Sequence, residues 1–558
     1  MAGYPMDGLT AWVAHPPTAQ GLDHLGTQAP CISLYSRLLP GITNVTDRAR
    51  YYSLYPWLIW KFDQRFKTAS PKDFEAFYRR ADCLLTLMAE RHARCAQEGG
   101  AQHGAAMIGR LTLLPALDRL EAGEALRLST YATTEDEPGT RYFKNRLGGL
   151  GQYYLGTFVD LGLLLGDPRS WIRYTRERGE VIAKNVEEIV PADLFLKTIQ
   201  EDVVSLRRLD HLAPFCFCQL REGTKEHKFL TDLLFGHLDD EGSDGQQRRH
   251  SLALVLSLVD AMARSGRGTL DIDWVRGALY GHSLGKGNAW SIPPVLAPTA
   301  QAWATYVRND LLSIAAQTVF FSSLFILDQC DQRFDTAEGF GRWLAGHPAI
   351  KKLEKAVGGK TFGEALRVAK RSAPPQEDWD SDRHEFQHAF DCMARFREID
   401  DEAGAAAAMG VAVRTLVLLA ARIDAAVPEY DASLLADEFL KGYPINLQSF
   451  RRHASNGWQS LPVPSLIGLL IKDWGIDAHL RIALRKLRNN PQATFRLRPT
   501  DQGLTVEDEI PPPVPTNPRL RQAIQILRDL GCIQTGDPAA PPSLTPLGKT
   551  LLAEAVGG

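Results

Sequence analysis

The chain has no CxxC pair, no dinucleotide-type GxGxxG, no complete phosphate loop, no excess of either charge and no unbroken run of about 20 apolar residues. Each absence excludes a class of protein. Cysteines stand apart at 31, 83, 95, 330, 392 and 532, and only Cys216 and Cys218 lie close together. That scatter argues against a zinc ribbon and a disulfide framework, and suits a reducing cytosol where the thiol acts as a small hydrophobe. Gly359-Lys360-Thr361 and Gly548-Lys549-Thr550 end as a phosphate loop does, but Glu354 and Ser543 occupy the place of its first glycine. Lys and Arg total 63 against 66 Asp and Glu, a net charge of -3, so any attraction to a polyanion must be local. The uncharged run Gly287 to Val307 is broken by Pro293, Pro294 and Pro298, and the run Leu311 to Leu327 is bounded by Asp310 and Asp328. The second therefore reads as a deeply buried helix, not a membrane span. The N-terminus, MAGYPMDGLTAWVAHPP, lacks the basic and apolar regions of a secretory signal. A cytoplasmic protein without a membrane partner or cofactor is expected.

What is present is a long chain of ordinary globular composition. At roughly 100 to 200 residues per domain, 558 residues predict about three to five domains. Residues 1–45 lack sustained periodicity and predict an irregular arm; 46–190 and 191–445 predict a helical domain and a helical core. Residues 446–500 form a basic helical segment and 501–558 a C-terminal module. Thr46 or Asp47 is placed to cap a helix through RARYYSLYPWLIWKF, and Ser70-Pro71 starts another running to about Cys95. Stretches 105–122 and 139–161 also look helical. Ser372 to Asp382 predicts an exposed connection, Thr494 to Asp508 a hairpin, and Pro511 to Pro518 a stiff linker.

Two distant segments resemble each other. Residues 160–184 and 529–553 each begin Asp-Leu-Gly, reach Gly-Asp-Pro at Gly166 and Gly536, and have Thr before Gly at Thr175 and Thr545. A glycine helix stop, a hairpin and a threonine-capped helix follow from that order. The order resembles the C-terminal half of a winged-helix domain, where the hairpin is the wing and the preceding helix enters a DNA groove. The resemblance implies winged-helix-like modules near residues 139–190 and at the C-terminus, with recognition helices over 141–159 and 518–528. These carry Arg141, Lys144 and Arg146, then Arg519, Arg521 and Arg528. The proline-rich stretch before Pro518 departs from the family, which has a tight helical turn there.

The strongest basic cluster is HLRIALRKLRNNPQATFRLR, with Arg481, Arg485, Lys486, Arg488, Arg496 and Arg498. Arg481, Arg485 and Arg488 fall at i, i+4 and i+7 and could track phosphates while Ile482, Leu484 and Leu487 pack inward. Arg519 and Arg521 complete the expected DNA-binding set. Tyr51, Tyr52 and Tyr55 could stack on bases, although Trp57, Trp60, Phe62 and Phe66 beside them read as core. His384-Glu385-Phe386-Gln387-His388 matches the HExxH pattern of zinc peptidases, yet Asp382 and Arg383 suit an exposed first turn better. Gly281-His282-Ser283-Leu284-Gly285 matches a nucleophile elbow without the strand and helix it needs. Asp239, Asp240, Asp271 and Asp273 read as solvated acids.

The segment Leu39 to Tyr52, LPGITNVTDRARYY, is similar to uncharacterised bacterial proteins associated with mobile-element and phage-defence loci. That resemblance implies one subunit of a multi-protein defence system whose catalytic power resides elsewhere. The reading is a mainly α, multidomain helical scaffold that binds double-stranded DNA or partner subunits without catalysis. The alternatives are a zinc-dependent metallopeptidase using His384, Glu385 and His388, and a purely structural protein scaffold.

Overall fold

The apolar run between Asp310 and Asp328 lies inside a helix, Ala297–Gln329, in the computed structural model of the chain. The structure describes residues 23–66, 70–95, 107–134, 141–166, 172–239, 243–423, 430, 435–489, 494–507, 509–534 and 540–557. Among the described residues the fold is mainly α, with 65% helix and 5% strand. Two helices, Pro294–Gln329 and Glu402–Ala421, are long and apolar enough to cross a membrane, but 94% and 72% of their most apolar windows are buried within the protein. They pack against each other, and helices Gln28–Leu38, Ile272–Gly281 and Glu385–Arg397 pack around Ala297–Gln329.

A helix buried on all sides must satisfy its polar side chains internally. Ser313 Oγ lies 2.7 Å from Thr27 Oγ1, and Asn309 Nδ2 donates to the Thr27 carbonyl. Gln317 exchanges two hydrogen bonds with the Val514 backbone, each 3.1 Å. Asp310 accepts from the Thr516 amide and hydroxyl at 3.0 and 2.9 Å and is paired with Arg276, all of it buried. A segment near the start of the described residues and the proline-rich stretch at 511–518 are thus tied to one helix. The proline-rich linker lies along the core, with Pro513, Thr516 and Pro518 buried.

The stretch predicted as an irregular arm contains the helix Gln28–Leu38, whose Cys31, Leu34, Tyr35 and Leu38 are buried at i, i+3, i+4 and i+7. Asp23 anchors its start by accepting from the amides of Gly26, Thr27, Gln28 and Ala29. The helix expected from Thr46 begins at Tyr51, because Thr46 holds a turn onto Thr43 and Asp47 accepts from Arg521 and Gln522. Ser70 and Asp73 cap Pro71–Cys95 reciprocally, as expected. The hairpin pairs Leu497 with Val506 and Thr500 with Gly503. The expected exposed connection instead buries Trp379, which packs over Gly277 and Gly281; a Cβ at either would come within 2.5 Å of its ring.

Removing the Asp310 carboxylate leaves the buried Arg276 guanidinium with only the half-exposed Asp273 as a counter-charge. Asp310→Ala is expected to cost about 3 to 5 kcal/mol in urea unfolding, and a paired Arg276→Met/Asp310→Leu protein to recover only part of it, because the buried Thr516 amide and hydroxyl stay without their acceptor. Acid should also weaken the fold. His479 is buried, donates from Nδ1 to the His24 carbonyl at 3.1 Å and accepts at Nε2 from the Arg496 amide at 2.8 Å, so it must be neutral. Burial, with Lys486 and Arg496 nearby, pushes its pKa down to about 4, and burial beside His479 pushes His24 down to about 3. The unfolded chain takes up these protons near pH 6.5, so the contribution is whole above that pH and is lost as pH falls toward 4. Urea midpoints should decline over that window by an amount worth on the order of 3 kcal/mol for His479, and His479→Gln should flatten the decline.

Candidate nucleic-acid interface

Where the sequence repeats, the backbone repeats. Helix Leu155–Asp160 stops at Gly162, φ +66°, and helix Leu520–Asp529 stops at Gly531, φ +68°. Each end closes as a Schellman motif, with Leu163 N donating to Phe158 O and Cys532 N to Leu527 O, both at 2.8 Å. Two-residue strands follow, Leu164–Leu165 pairing with Arg173–Tyr174 and Ile533–Gln534 with Ser543–Leu544. Thr175 and Thr545 then donate to the carbonyls of Gly162 and Gly531, each at 2.6 Å, and accept from the amides of Gly179 and Gly548. A Cβ at Gly179 or Gly548 would lie 2.1 or 2.2 Å from the carbonyl oxygen of Leu163 or Cys532, so the return helix needs glycine there. The Gly-Asp-Pro turns lie outside the described residues beyond Gly166.

The helices expected to carry arginines differ from expectation. In the first copy the helical backbone begins at Gly148, so Arg141, Lys144 and Arg146 precede it, and Arg146 pairs with Glu75 at 2.7 Å. In the second copy Arg519 sits before the helix with φ +62°; its guanidinium donates to Ile42 O and Ser36 Oγ and lies over the Tyr35 ring. Arg521 pairs with Asp47 at 3.0 Å, leaving Arg521 and Arg528 as exposed basic residues of this helix.

The basic cluster is rotated from its expected orientation. Helix Asp477–Asn489 turns His479, Ile482, Ala483 and Lys486 inward, while Leu484 and Leu487 are 57% and 42% exposed. Lys486 is drawn in because its ammonium donates to the Asp23 carbonyl at 2.6 Å, and burial pushes its pKa down. Arg485 donates to Gly442 O at 2.7 Å and covers Tyr443. Arg496 donates to Glu509 O, and Arg498 pairs with Glu507 at 3.1 Å. The Arg488 side chain lies outside the described residues. Arg481 alone of this set is exposed without a side-chain hydrogen bond or ion pair among the described residues.

Arg481 borders a cleft of about 380 Å³ formed by Pro444, Ile445, the segment Leu447–Gly457, Trp458 and the helical run 463–489. Arg452, also exposed, shares its rim. Inside, the half-buried His453 ring lies parallel to Trp458, 5.4 Å between centroids and 10° between planes, and Trp474 backs Trp458. Asp473 and Asp477 also line the cleft, but Lys472 reaches both, at 2.6 and 3.4 Å. Two guanidinium groups beside a flat ring suit a phosphate with an adjoining planar group.

The other candidates resolve differently. His384 caps the helix Glu385–Arg397 by accepting from Phe386 N, but this turn is buried, not exposed. Glu385 accepts from Arg422 at 2.8 and 3.1 Å and from Tyr280 at 2.7 Å, which holds its pKa down and commits both oxygens. Ser283 is buried and donates to Glu377 O in a loop. Asp239 pairs with Arg178 and Arg248, and Asp271 caps Ile272–Gly281, so neither is simply solvated. Tyr51, Tyr52 and Tyr55 are core residues. One constellation was missed: His92 meets Cys216 and Cys218, for which the Cys-x-Cys spacing was the legible half. Comparison with protein-family models, curated proteins and solved structures yields no match to the chain.

Proposed function

We propose that this protein is a non-catalytic DNA-binding subunit of a larger assembly, with the Arg452–Arg481 cleft as its contact to the phosphate backbone. The observation that carries the reading is the pair of exposed arginines at one rim beside the His453 ring. The two helix–hairpin–helix units are taken as winged-helix-like modules, and the exposed Arg521 and Arg528 of the second, the former paired with Asp47, are further basic side chains outside the cleft. The commitment of Glu385 to Arg422 and Tyr280 supports a non-catalytic reading over the peptidase. Exposed Leu484, about one turn beyond Arg481, and Leu487, three residues further on, favour a second reading in which this side of the helix docks a protein subunit.

Anisotropy titrations of labelled duplex DNA over a range of salt distinguish the two. Each neutralised phosphate contributes ~0.9 to the log–log slope, so two arginines predict a slope of about -2, and Arg452→Ala/Arg481→Ala is expected to abolish binding without lowering the melting temperature. Absence of binding at low salt leaves the protein-docking reading. In contrast, Arg485→Ala should act on stability by about 0.5 to 1.5 kcal/mol, because it deprives the half-buried Gly442 carbonyl of its partner.

A further inference from the structure

We propose that His92, Cys216 and Cys218 form a binding site for a thiophilic divalent cation, Zn²⁺ foremost. Their ligand atoms all lie within 4.8 Å of one another. His92 comes from the last turn of Pro71–Cys95; the cysteines follow the short 3₁₀ turn Ala213–Phe215. In an extended chain, residues two apart point the same way but their sulfurs need not converge. Here the Gln219 amide donates to the Cys216 carbonyl at 2.9 Å, closing a turn that brings the two sulfurs to 3.4 Å. Arg50 donates to the same carbonyl at 2.7 Å while its guanidinium is held by the fully buried Glu226. Phe217 is wedged edge-on against Tyr51, 4.6 Å between centroids. The turn is therefore anchored independently of any ion.

The spacing fits a tetrahedral cation. With Zn–S about 2.3 Å and Zn–N about 2.0 to 2.1 Å, the edges of such a tetrahedron are about 3.8 Å between sulfurs and about 3.5 Å between sulfur and nitrogen. The observed Cys218 Sγ to His92 Nδ1 separation is 3.5 Å, and the sulfur pair needs to open by only a few tenths of an ångström. Two thiolates and an imidazole select Zn²⁺ over Mg²⁺ or Ca²⁺, which prefer oxygen. Gln219 Nε2, 3.6 Å from Cys218 Sγ, is placed to donate to the thiolate. Cys218 and His92 are half-buried, which gives the ion an entry path and leaves the fourth vertex to water. On binding, each thiol S–H gives its proton to solvent and each sulfur its electron pair to the metal, so one ion displaces about two protons and changes no oxidation state.

The test uses the full chain, reduced and stripped of metal. Co²⁺ is added first for its thiolate charge-transfer and tetrahedral d–d bands, then Zn²⁺ to displace it, with elemental analysis of the dialysed product. The expected result is about one ion per chain, release of about two protons, and a melting temperature raised by Zn²⁺ but not by Mg²⁺. Cys218→Ser and His92→Gln, both at half-buried positions, should melt with the stripped wild type and bind at least a hundredfold more weakly. A wild-type protein without the cobalt bands, or either variant folded and binding as the wild type does, overturns the proposal. DNA binding is read separately on the stripped protein, so this site and the cleft stand or fall independently.

Discussion

A long helix buried along most of its length imposes one condition on everything around it: most of its polar side chains must find partners inside the protein. Ala297–Gln329 carries Asn309, Asp310, Ser313 and Gln317 in its buried surface, and an unpaired polar group there would cost about 1 to 3 kcal/mol, a charged one more. The partners come from Thr27 near the start of the described chain, from Arg276 on a neighbouring helix, and from Val514 and Thr516 in the proline-rich stretch near its end. The helix therefore specifies which distant segments lie against it as well as supplying apolar area. Proline suits the last segment because it limits the entropy lost when an extended strap is laid along a core.

The segment Leu39–Tyr52 is a second organiser. Within a few residues it accepts from Arg519 at Ile42, from Gln522 at Asn44 and Asp47, and from Arg248 at Pro40, while Arg48 donates bidentately to Asp529 and Arg50 to Glu226. Most of these bonds use backbone carbonyls or planar guanidinium forks, whose geometry fixes orientation as well as distance. Through this joint the second hairpin unit is held to the first half of the molecule. The turn that presents Cys216 hangs from Arg50, so this one segment holds both the proposed cation site and, through Arg48 and its neighbours, the second hairpin unit.

The two hairpin units show how a repeat survives when most residues differ. Among the positions that coincide are those whose chemistry the backbone requires: a glycine in the left-handed region, a threonine bridging strand and helix, and a glycine pressed against a carbonyl. The residues between them are free to meet different neighbours. Arg173 and Tyr174 of the first unit engage Asp63, whereas the second unit packs on Asp244–Ser265.

Local signals in the sequence determined local structure. Ser70-Pro71, the alternation from Thr494 to Asp508, the apolar run after Asp310 and the repeated Gly, Thr and Gly positions each describe interactions completed within a few residues, so one-dimensional reading recovers them. The destinations of charged side chains were decided only by tertiary structure. Lys486 turns inward because Asp23 waits there, Arg519 because three carbonyl and hydroxyl groups converge on it, and Glu385 pairs with an arginine far along the chain. A charged residue looks the same in sequence whether its partner is water or a buried group. Likewise, Cys216 and Cys218 announce themselves by spacing, but His92 joins them only because a helix packs beside their turn. Sequence could name the residue types for binding; long-range contacts decided which of them face outward, and left Arg452 and Arg481 at the rim.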